Sequence, residues 1–338
     1  MDTHFFSAAP VISWMTWIWR KLLGVQKEPS LISNSNLPLY LPSMDHTNFL
    51  IQKCDHQKAK EYSRFLNEYY YISKDTQLNL SIAPELLQSQ LRIGRWIGVE
   101  IRNRSTQTLV GIVFSLYAGA YQQTPMGLIT WLCIKPEYRK QGFTNLLLRA
   151  MYAMNQPTTI YWWRTDGWLQ SPCPPVYTQT KIIRRARCNS SENTFIHRHE
   201  LSDVFVAEWK RQNPGGILLY AKGVTNPLLS IYEYRHSQTE YVMLAFQPTF
   251  ERENRTSNRT YSEIVGWVVS EQMKPLNAAM YVEILLDEIF LTEWYEAPLE
   301  MPHLDSKGWQ IAGMSSWSVL GLDPGTADSL PILALAAA

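Results

Sequence analysis

Cysteine is scarce in these 338 residues: Cys54, Cys133, Cys173 and Cys188 stand far apart and no CxxC pair occurs. That excludes a scaffold stapled by disulfides and a cysteine zinc site. His197 and His199 are a weak metal hint without the partner ligands that would complete a site, so they read as a surface loop and no metal is expected. Net charge is scarce too. Lys+Arg 31 against Asp+Glu 30 leaves +1, which argues against a protein built to grip nucleic acid. The local run Lys181, Arg184, Arg185 and Arg187 reads as a solvated turn. Long apolar runs are missing as well. Phe5 to Leu23 carries Trp14, Trp17 and Trp19 but is interrupted by Ser, Thr and Pro, too broken for a membrane span. It also lacks the basic start and cleavage site of a secretory signal. The helical spacing of Trp14, Ile18 and Leu22 leaves open an interfacial helix and a transient membrane contact. The chain is expected to be cytoplasmic and reduced.

What is abundant is aromatic surface, with 13 Trp and 18 Tyr, in a chain that is 46% hydrophobic and 18% charged. That is the composition of a globular protein large enough for two domains. The most informative stretch is Ile129 to Leu148. An apolar run, Ile129-Thr130-Trp131-Leu132-Cys133-Ile134, ends in a short basic loop with Arg139-x-x-Gly142, and an apolar helix pattern follows from Phe143. A strand feeding a helix start in this way offers main-chain N–H groups and a partial positive charge to phosphate oxygens. Arg139, Lys140 and the permissive Gly142 suit close approach of a pyrophosphate. Cys133 falls within the apolar strand and reads as a small buried hydrophobe.

Elsewhere the spacing predicts helices over Lys58–Tyr71, Glu85–Leu91, Phe143–Met154 and Asp203–Gln212, with strands over Trp96–Ile101, Leu109–Tyr117, Met126–Ile134 and Thr159–Trp163. In the second half it predicts strands at Ile217–Lys222, Leu228–Tyr234 and Tyr241–Phe246, helices over Tyr261–Met273 and Ala278–Trp294, and a strand-rich Gly308–Leu320. Glu192–Glu200 reads as a polar linker.

The segment Arg139-x-x-Gly142-x-Thr144 resembles the acyl-CoA-binding motif of the GNAT acyltransferases, Arg/Gln-x-x-Gly-x-Gly/Ala, with Thr144 as a departure at the last position. Trp131-Leu132-Cys133-Ile134 is similar to the Phe-Leu-Cys-Val stretch of N-myristoyltransferases. Upstream, Leu39-Tyr40-Leu41-Pro42, Phe49-Leu50-Ile51, Phe65-Leu66-Asn67-Glu68-Tyr69-Tyr70, Gly94-Arg95-Trp96-Ile97-Gly98-Val99 and Leu109-Val110-Gly111-Ile112-Val113 resemble that family in order, so the likeness covers about Leu37 to Tyr177. Beyond it the matches scatter. The family's Tyr-Trp-His-Arg-Ser-Leu-Asn keeps only Tyr177, its Gly-Asp-Gly becomes Asp305-Ser306-Lys307-Gly308, and its Asn-Trp pair becomes Ser316-Trp317.

The resemblance implies an α+β fold of two fused GNAT-like units, mixed sheets flanked by helices: an N-terminal arm over 1–36, an acyl-CoA-binding unit over 37–190 and a peptide-binding unit over 191–338. It implies a transferase moving a fatty acyl group, with myristoyl-CoA as the expected co-substrate, to the N-terminal glycine of peptides or proteins, and working as a monomer. Trp131 and Leu132 would supply oxyanion-binding main-chain amides. Cys133, Ile134, Arg139, Lys140, Gln141, Gly142, Phe143 and Thr144 would hold CoA, and Trp17 and Trp19 on the arm would cover the acyl-CoA. The terminal carboxylate of Ala338 would be the base. Tyr117, Tyr177 and Tyr234 are candidates for lining a groove. Two other readings stay open: an acetyltransferase acting on another amine, and an inactive module that binds acyl-CoA or peptide.

Overall fold

The computed structural model describes residues 30–31, 47–70, 78–121, 123–154, 160–166, 176–187, 195–199, 203–214, 216–220, 228–253, 260–289, 294–299, 301–302, 304, 308–320, 322–323 and 332–334. Trp17, Trp19, Cys173, Cys188, Ala338 and the segment Phe5 to Leu23 lie outside them. Among the described residues no helix is long and apolar enough to cross a membrane.

The chain divides into two compact units. The first holds Met1–Thr76, Leu80–Thr178 and Ser316–Ser329; the second holds Gln77–Asn79, Gln179–Ser315 and Leu330–Ala338. In the first unit β1 (Phe49–Lys53) is followed by α1 (Ala59–Tyr69) and α2 (Pro84–Arg92). Then come β2 (Trp96–Asn103), β3 (Leu109–Tyr121), β4 (Thr124–Ile134), α3 (Phe143–Met154) and β5 (Ile160–Asp166). The sheet order is β1-β2-β3-β4-β5. The first three pairings are antiparallel and the last, β4 with β5, is parallel.

Helices cover both faces of this sheet. Successive residues of a strand point to opposite sides, and β3 is buried along both. Val110 and Val113 join the cluster under α3, with Val99, Ile101, Ile129, Phe143, Leu147 and Met151. On the other face Phe114 meets Tyr62 of α1, ring centroids 6.2 Å apart. A strand sealed on both sides must be apolar at nearly every position, and Leu109-Val110-Gly111-Ile112-Val113-Phe114 is. Pro84 at the first turn of α2 gives up an N–H that has no acceptor there. One buried charge network ties β1, β2 and α1 together. Glu100, with no exposed surface, accepts from Gln52 at 2.5 Å and from Arg102 Nε at 2.9 Å. Arg102 in turn forks onto both carboxylate oxygens of Glu61, at 2.9 and 2.6 Å.

The second unit repeats the plan. Its elements are β6 (Tyr177–Arg185, whose first two residues belong to the first unit), β7 (Ile196–His199), α4 (Asp203–Gln212), β8 (Ser230–Arg235), β9 (Tyr241–Glu253), β10 (Thr260–Val269), α5 (Pro275–Glu288) and β11 (Trp294–Pro298). From β7 through β8, β9 and β10 the neighbours are antiparallel, and β10 pairs with β11 in parallel. From β7 onward the strand order and pairing senses match those of the first unit, with the single helix α4 where the first unit has α1 and α2. The fold is therefore α+β, two units of GNAT-like topology in one chain. Strand β12 (Gln310–Leu320) crosses the division between Ser315 and Ser316.

Four expectations are corrected here. Tyr261–Met273 is not a helix but the strand β10. Ala278–Trp294 is a helix only to Glu288, after which β11 begins. The supposed linker holding His197 and His199 contains the strand β7, where His199 Nε2 lies 2.7 Å from Glu233 Oε2. The basic run is not a solvated turn: Lys181, Arg184 and Arg185 lie on β6, and Arg184, only 2% exposed, is ion-paired with Glu283 and Asp287 of α5. Lys181 pairs with Glu296 at 2.9 Å. Two acidic partners offset the cost of burying a guanidinium, which sequence spacing does not reveal.

Candidate functional site

Three features of the first unit meet on β4. The first is a break in its antiparallel ladder. Ile112 pairs with Cys133 and Phe114 with Thr130, so Val113 alone faces both Trp131 and Leu132. The extra residue is a β-bulge, which takes main-chain groups out of the ladder and turns the strand. Trp131 carries it at φ +47, a backbone state that costs a bulky residue about 1–3 kcal/mol. Packing holds it there. The indole is 4% exposed, its ring centroid 4.9 Å from that of Trp96 and 6.2 Å from that of Phe114, both edge-on.

The second feature is on the opposite side of β4. Its parallel pairing with β5 runs from Met126–Ile160 to Ile129–Trp163 and stops, although β4 continues to Ile134 and β5 to Asp166. The strands part just before the bulge. On the far side β5 turns to Ser316, whose carbonyl accepts from Thr165 Oγ1 at 3.4 Å. Thr130 to Ile134 therefore pair with no residue of β5 on that side.

The third feature is the loop that follows. Pro136–Tyr138 makes one tight turn. Lys140 (φ +62) and Gly142 (φ +83) then adopt left-handed conformations, and α3 starts at Phe143, with Leu146 N–H bonding Gly142 O at 3.2 Å. Alternating main-chain hands just before a helix start turn successive N–H groups inward, the concave arrangement that binds anions. At Gly142 a side chain would be strained. The loop is fixed to the core by Tyr138 and Phe143, which pack edge-on against Phe49 at 6.0 and 4.9 Å. Gln141 Nε2 closes it further onto Glu137 O at 2.8 Å.

The expected residues fall out as follows. Trp131, Leu132, Cys133 and Ile134 form the bulged strand end. Lys140 and Gln141 are exposed, Gly142 and Thr144 half-buried, and Phe143 buried. Cys133 is not available for nucleophilic work, because burial pushes its thiol up to about 12. Arg139 lies in the loop, but its guanidinium turns inward. Nε donates to Ile134 O and Nη2 to Tyr69 O, each at 2.6 Å. Tyr117 is exposed on β3, and Tyr177 is half-buried at the start of β6. Tyr234 does not line a groove: it is 7% exposed in the second unit's core, 4.4 Å from the Tyr281 ring. Among the described residues no cluster of His, Cys, Asp and Glu could hold a metal ion.

Sequence reasoning missed Trp96, Phe114 and Tyr69. The first two wedge the bulge, and the third supplies the carbonyl that Arg139 holds. Their apolar and aromatic character is the only signal the sequence gives, and it does not separate them from ordinary core. Chemically, the site combines a bulged strand end, the parting of two strands beside it, and a helix start whose main-chain N–H groups suit an anion.

Comparison with solved structures identifies the fold. The chain is similar to Saccharomyces cerevisiae N-myristoyltransferase with bound myristoyl-CoA, at TM-score 0.66 and 13% identity over 88% of this chain and 89% of that one. A further structure of the yeast enzyme, with bound myristoyl-CoA and inhibitors, gives TM-score 0.65 and 12% identity over 95% and 94%. No protein-family model and no curated protein sequence matches. What is shared with the yeast enzyme is the architecture, over nearly its whole length.

Proposed function

We propose that this chain is an acyl-CoA-dependent N-acyltransferase that moves a fatty acyl group, myristoyl, to the N-terminal glycine amine of a peptide or protein. The observation that supports it most is the bulge at Trp131–Leu132 beside the parted strands and one loop away from the helix start, in a chain with the N-myristoyltransferase fold. The yeast structures with that fold hold myristoyl-CoA.

In this reading the CoA phosphates lie against the main chain of Arg139 to Thr144, and the pantetheine arm runs along Thr130 to Ile134. The thioester carbonyl oxygen then sits at the Trp131 and Leu132 amides. The acceptor nitrogen attacks the carbonyl carbon and the C–N bond forms. The oxygen becomes an oxyanion held by those two donors, each worth about 3 kcal/mol of barrier. The C–S bond breaks, CoA leaves as thiolate and takes up a proton, and a base removes the proton of the attacking amine. Since the donors are main-chain groups, a Trp at 131 serves as well as a Phe.

The base is assigned to the carboxylate of Ala338. Upstream of it, Ile332–Ala334 pairs in parallel with Ile217–Leu219. Four residues follow Ala334, a reach of roughly 13–14 Å when extended. Removing Ala336 to Ala338 should abolish turnover while myristoyl-CoA still binds; unchanged turnover would eliminate Ala338 as the base.

The deciding experiment measures release of free CoA thiol with acetyl-, lauroyl- and myristoyl-CoA against a peptide beginning with glycine, with an N-acetylated peptide as control. Transfer from myristoyl-CoA to the free amine alone is the expected result. Transfer only from acetyl-CoA would make the chain an acetyltransferase. Binding without any transfer would leave an acyl-CoA-binding module.

A further inference from the structure

Arg139 is the most basic feature of the loop on paper, and it is the residue expected to meet phosphate. The structure gives its side chain other work. Two of its three nitrogens donate at 2.6 Å to carbonyls from different elements: Nε to Ile134 O, at the end of the bulged strand, and Nη2 to Tyr69 O, at the C-terminal end of α1. The third, Nη1, is sealed from solvent. Burial holds the guanidinium below its ordinary pKa, consistent with a cation facing carbonyls rather than open water. Around it, Lys135 leans on the Tyr69 ring at 6.0 Å and pairs with Glu137 at 2.6 Å. Lys140 is the loop's exposed cation.

We infer that Arg139 is a positioning residue that acts through Ile134 and Tyr69, and that the loop's electrostatic grip on phosphate comes from main-chain N–H groups and Lys140. Ile134 is two residues beyond the bulge and five before Arg139. A bond from Arg139 back to Ile134 O closes the loop on the strand that carries the oxyanion donors. The bond to Tyr69 O fixes both to α1, the helix whose Tyr62 packs on Phe114 under Trp131. One planar fork thus sets the distance between the phosphate seat and the oxyanion seat, a geometry that a flexible ammonium cannot reproduce. The inference rests on the acyl-CoA reading of this site.

A donor without phosphates separates the two roles. The pair of substrates is an acyl-CoA and the matching S-acyl-pantetheine, which keeps the thioester and arm but carries no phosphate. If Arg139 sets the oxyanion geometry, Arg139→Met lowers kcat by about 10- to 100-fold on both donors, because misplacement of the reacting atoms is felt whatever lies at the far end. If Arg139 touches phosphate, the defect appears with acyl-CoA and vanishes with S-acyl-pantetheine, which overturns the inference. Lys140→Met is the internal contrast: it should raise KM for acyl-CoA, less so at high salt, and leave the pantetheine reaction unchanged. Should Arg139→Met fold poorly, Arg139→Lys decides. It preserves the charge but cannot span two carbonyls, so it should keep the kcat defect, and full activity would overturn the inference. Wild-type protein that turns over neither donor and binds no acyl-CoA would refute the proposed function itself. Wild-type turnover with an Arg139→Met defect confined to acyl-CoA would refute only the role given to Arg139.

Discussion

Replacing Trp131 by Ala and by Gly tests the bulge directly, because the backbone state predicts an inversion of the usual order. In an ordinary strand Gly is less stable than Ala by about 0.5–1 kcal/mol, since it loses more freedom on folding. Trp131 is at φ +47, where any residue with a Cβ is strained. Both substitutions remove an indole that is 4% exposed and packed on Trp96 and Phe114, a loss of about 3–5 kcal/mol. Trp131→Ala keeps the backbone strain and takes the whole loss. Trp131→Gly releases strain of about 1–3 kcal/mol and should come out more stable than the Ala variant by about 1 kcal/mol. Midpoints of urea unfolding compare the two at equal slope. Trp131→Phe, which keeps an aromatic wedge, should retain turnover within a few-fold, since the chemistry belongs to the main chain. If the Ala variant equals or exceeds the Gly variant, Trp131 is not in the left-handed region. The bulge, and the oxyanion pocket with it, would then have to be abandoned.

Other outcomes follow from single contacts. Native protein at neutral pH should not react with iodoacetamide at Cys133, whose thiol is pushed up to about 12 by burial; rapid alkylation there, located by peptide mapping, would contradict its placement. Burial alone would raise the Glu100 carboxyl, but hydrogen bonds from Arg102 and Gln52 and the charges of Arg102 and Lys58 bring it below its ordinary 4.5. A depressed carboxylate contributes stability that is complete above the unfolded pKa and lost as pH falls through the folded one. The melting temperature should therefore drop below about pH 4.5, and Glu100→Gln should flatten that drop; an unchanged acid limb would refute the assignment. Arg184→Met would strand Glu283 and Asp287 without their buried partner, at a cost of about 3–5 kcal/mol. A shift in the unfolding midpoint worth less than 1 kcal/mol would show the cluster to be well hydrated instead.

How much could be read from the chain alone differs by element. The helices Phe143–Met154 and Asp203–Gln212 were legible to the residue, the first because apolar spacing follows directly on a glycine loop, the second because Asp203 and Lys210-Arg211 mark its ends. β10 was not. Tyr261, Ile264, Val265 and Val268 fall at helical spacing, yet the strand is buried on both faces, where periodicity carries no information. Its β-branched residues were the better guide. The basic run of β6 misled for a related reason: charge is a surface signal only until it meets partners distant in sequence, as Arg184 meets Glu283 and Asp287. The loop motif pointed to the left-handed turn at Gly142 and the helix start at Phe143, since both are local. The oxyanion role proposed for Trp131 and Leu132 came only from resemblance. A left-handed tryptophan, a bulge opposite Val113 and the parting of two strands are products of tertiary packing, and no local rule announces them. The inward turn of Arg139 was hidden in the same way, because Tyr69 is far from it in sequence.

The repeated topology raises the question of how many donors one chain binds. The second unit keeps part of the arrangement. β10 and β11 pair in parallel only from Tyr261–Trp294 to Glu263–Glu296, and Val265 is an extra residue between the pairs Ala245–Gly266 and Phe246–Ile264. The strands part and a bulge follows, as in the first unit. What the second unit lacks is the left-handed loop that Lys140 and Gly142 make before the helix in the first. Its loop, Ser270 to Lys274, is short, contains Glu271, and leads to a helix whose first residue is Pro275, so one first-turn N–H is missing and a carboxylate is nearby. Met273 is buried within that loop, drawing it toward the core rather than outward to a ligand. A diphosphate would have neither the inward N–H groups nor the glycine of the first unit. Isothermal titration with myristoyl-CoA should therefore give one site per chain, and Gly142→Val, which strains the single seat at φ +83, should remove it. Two equivalent sites, or one that survives Gly142→Val, would mean that the donor binds elsewhere and that the helix start after β4 is not its seat.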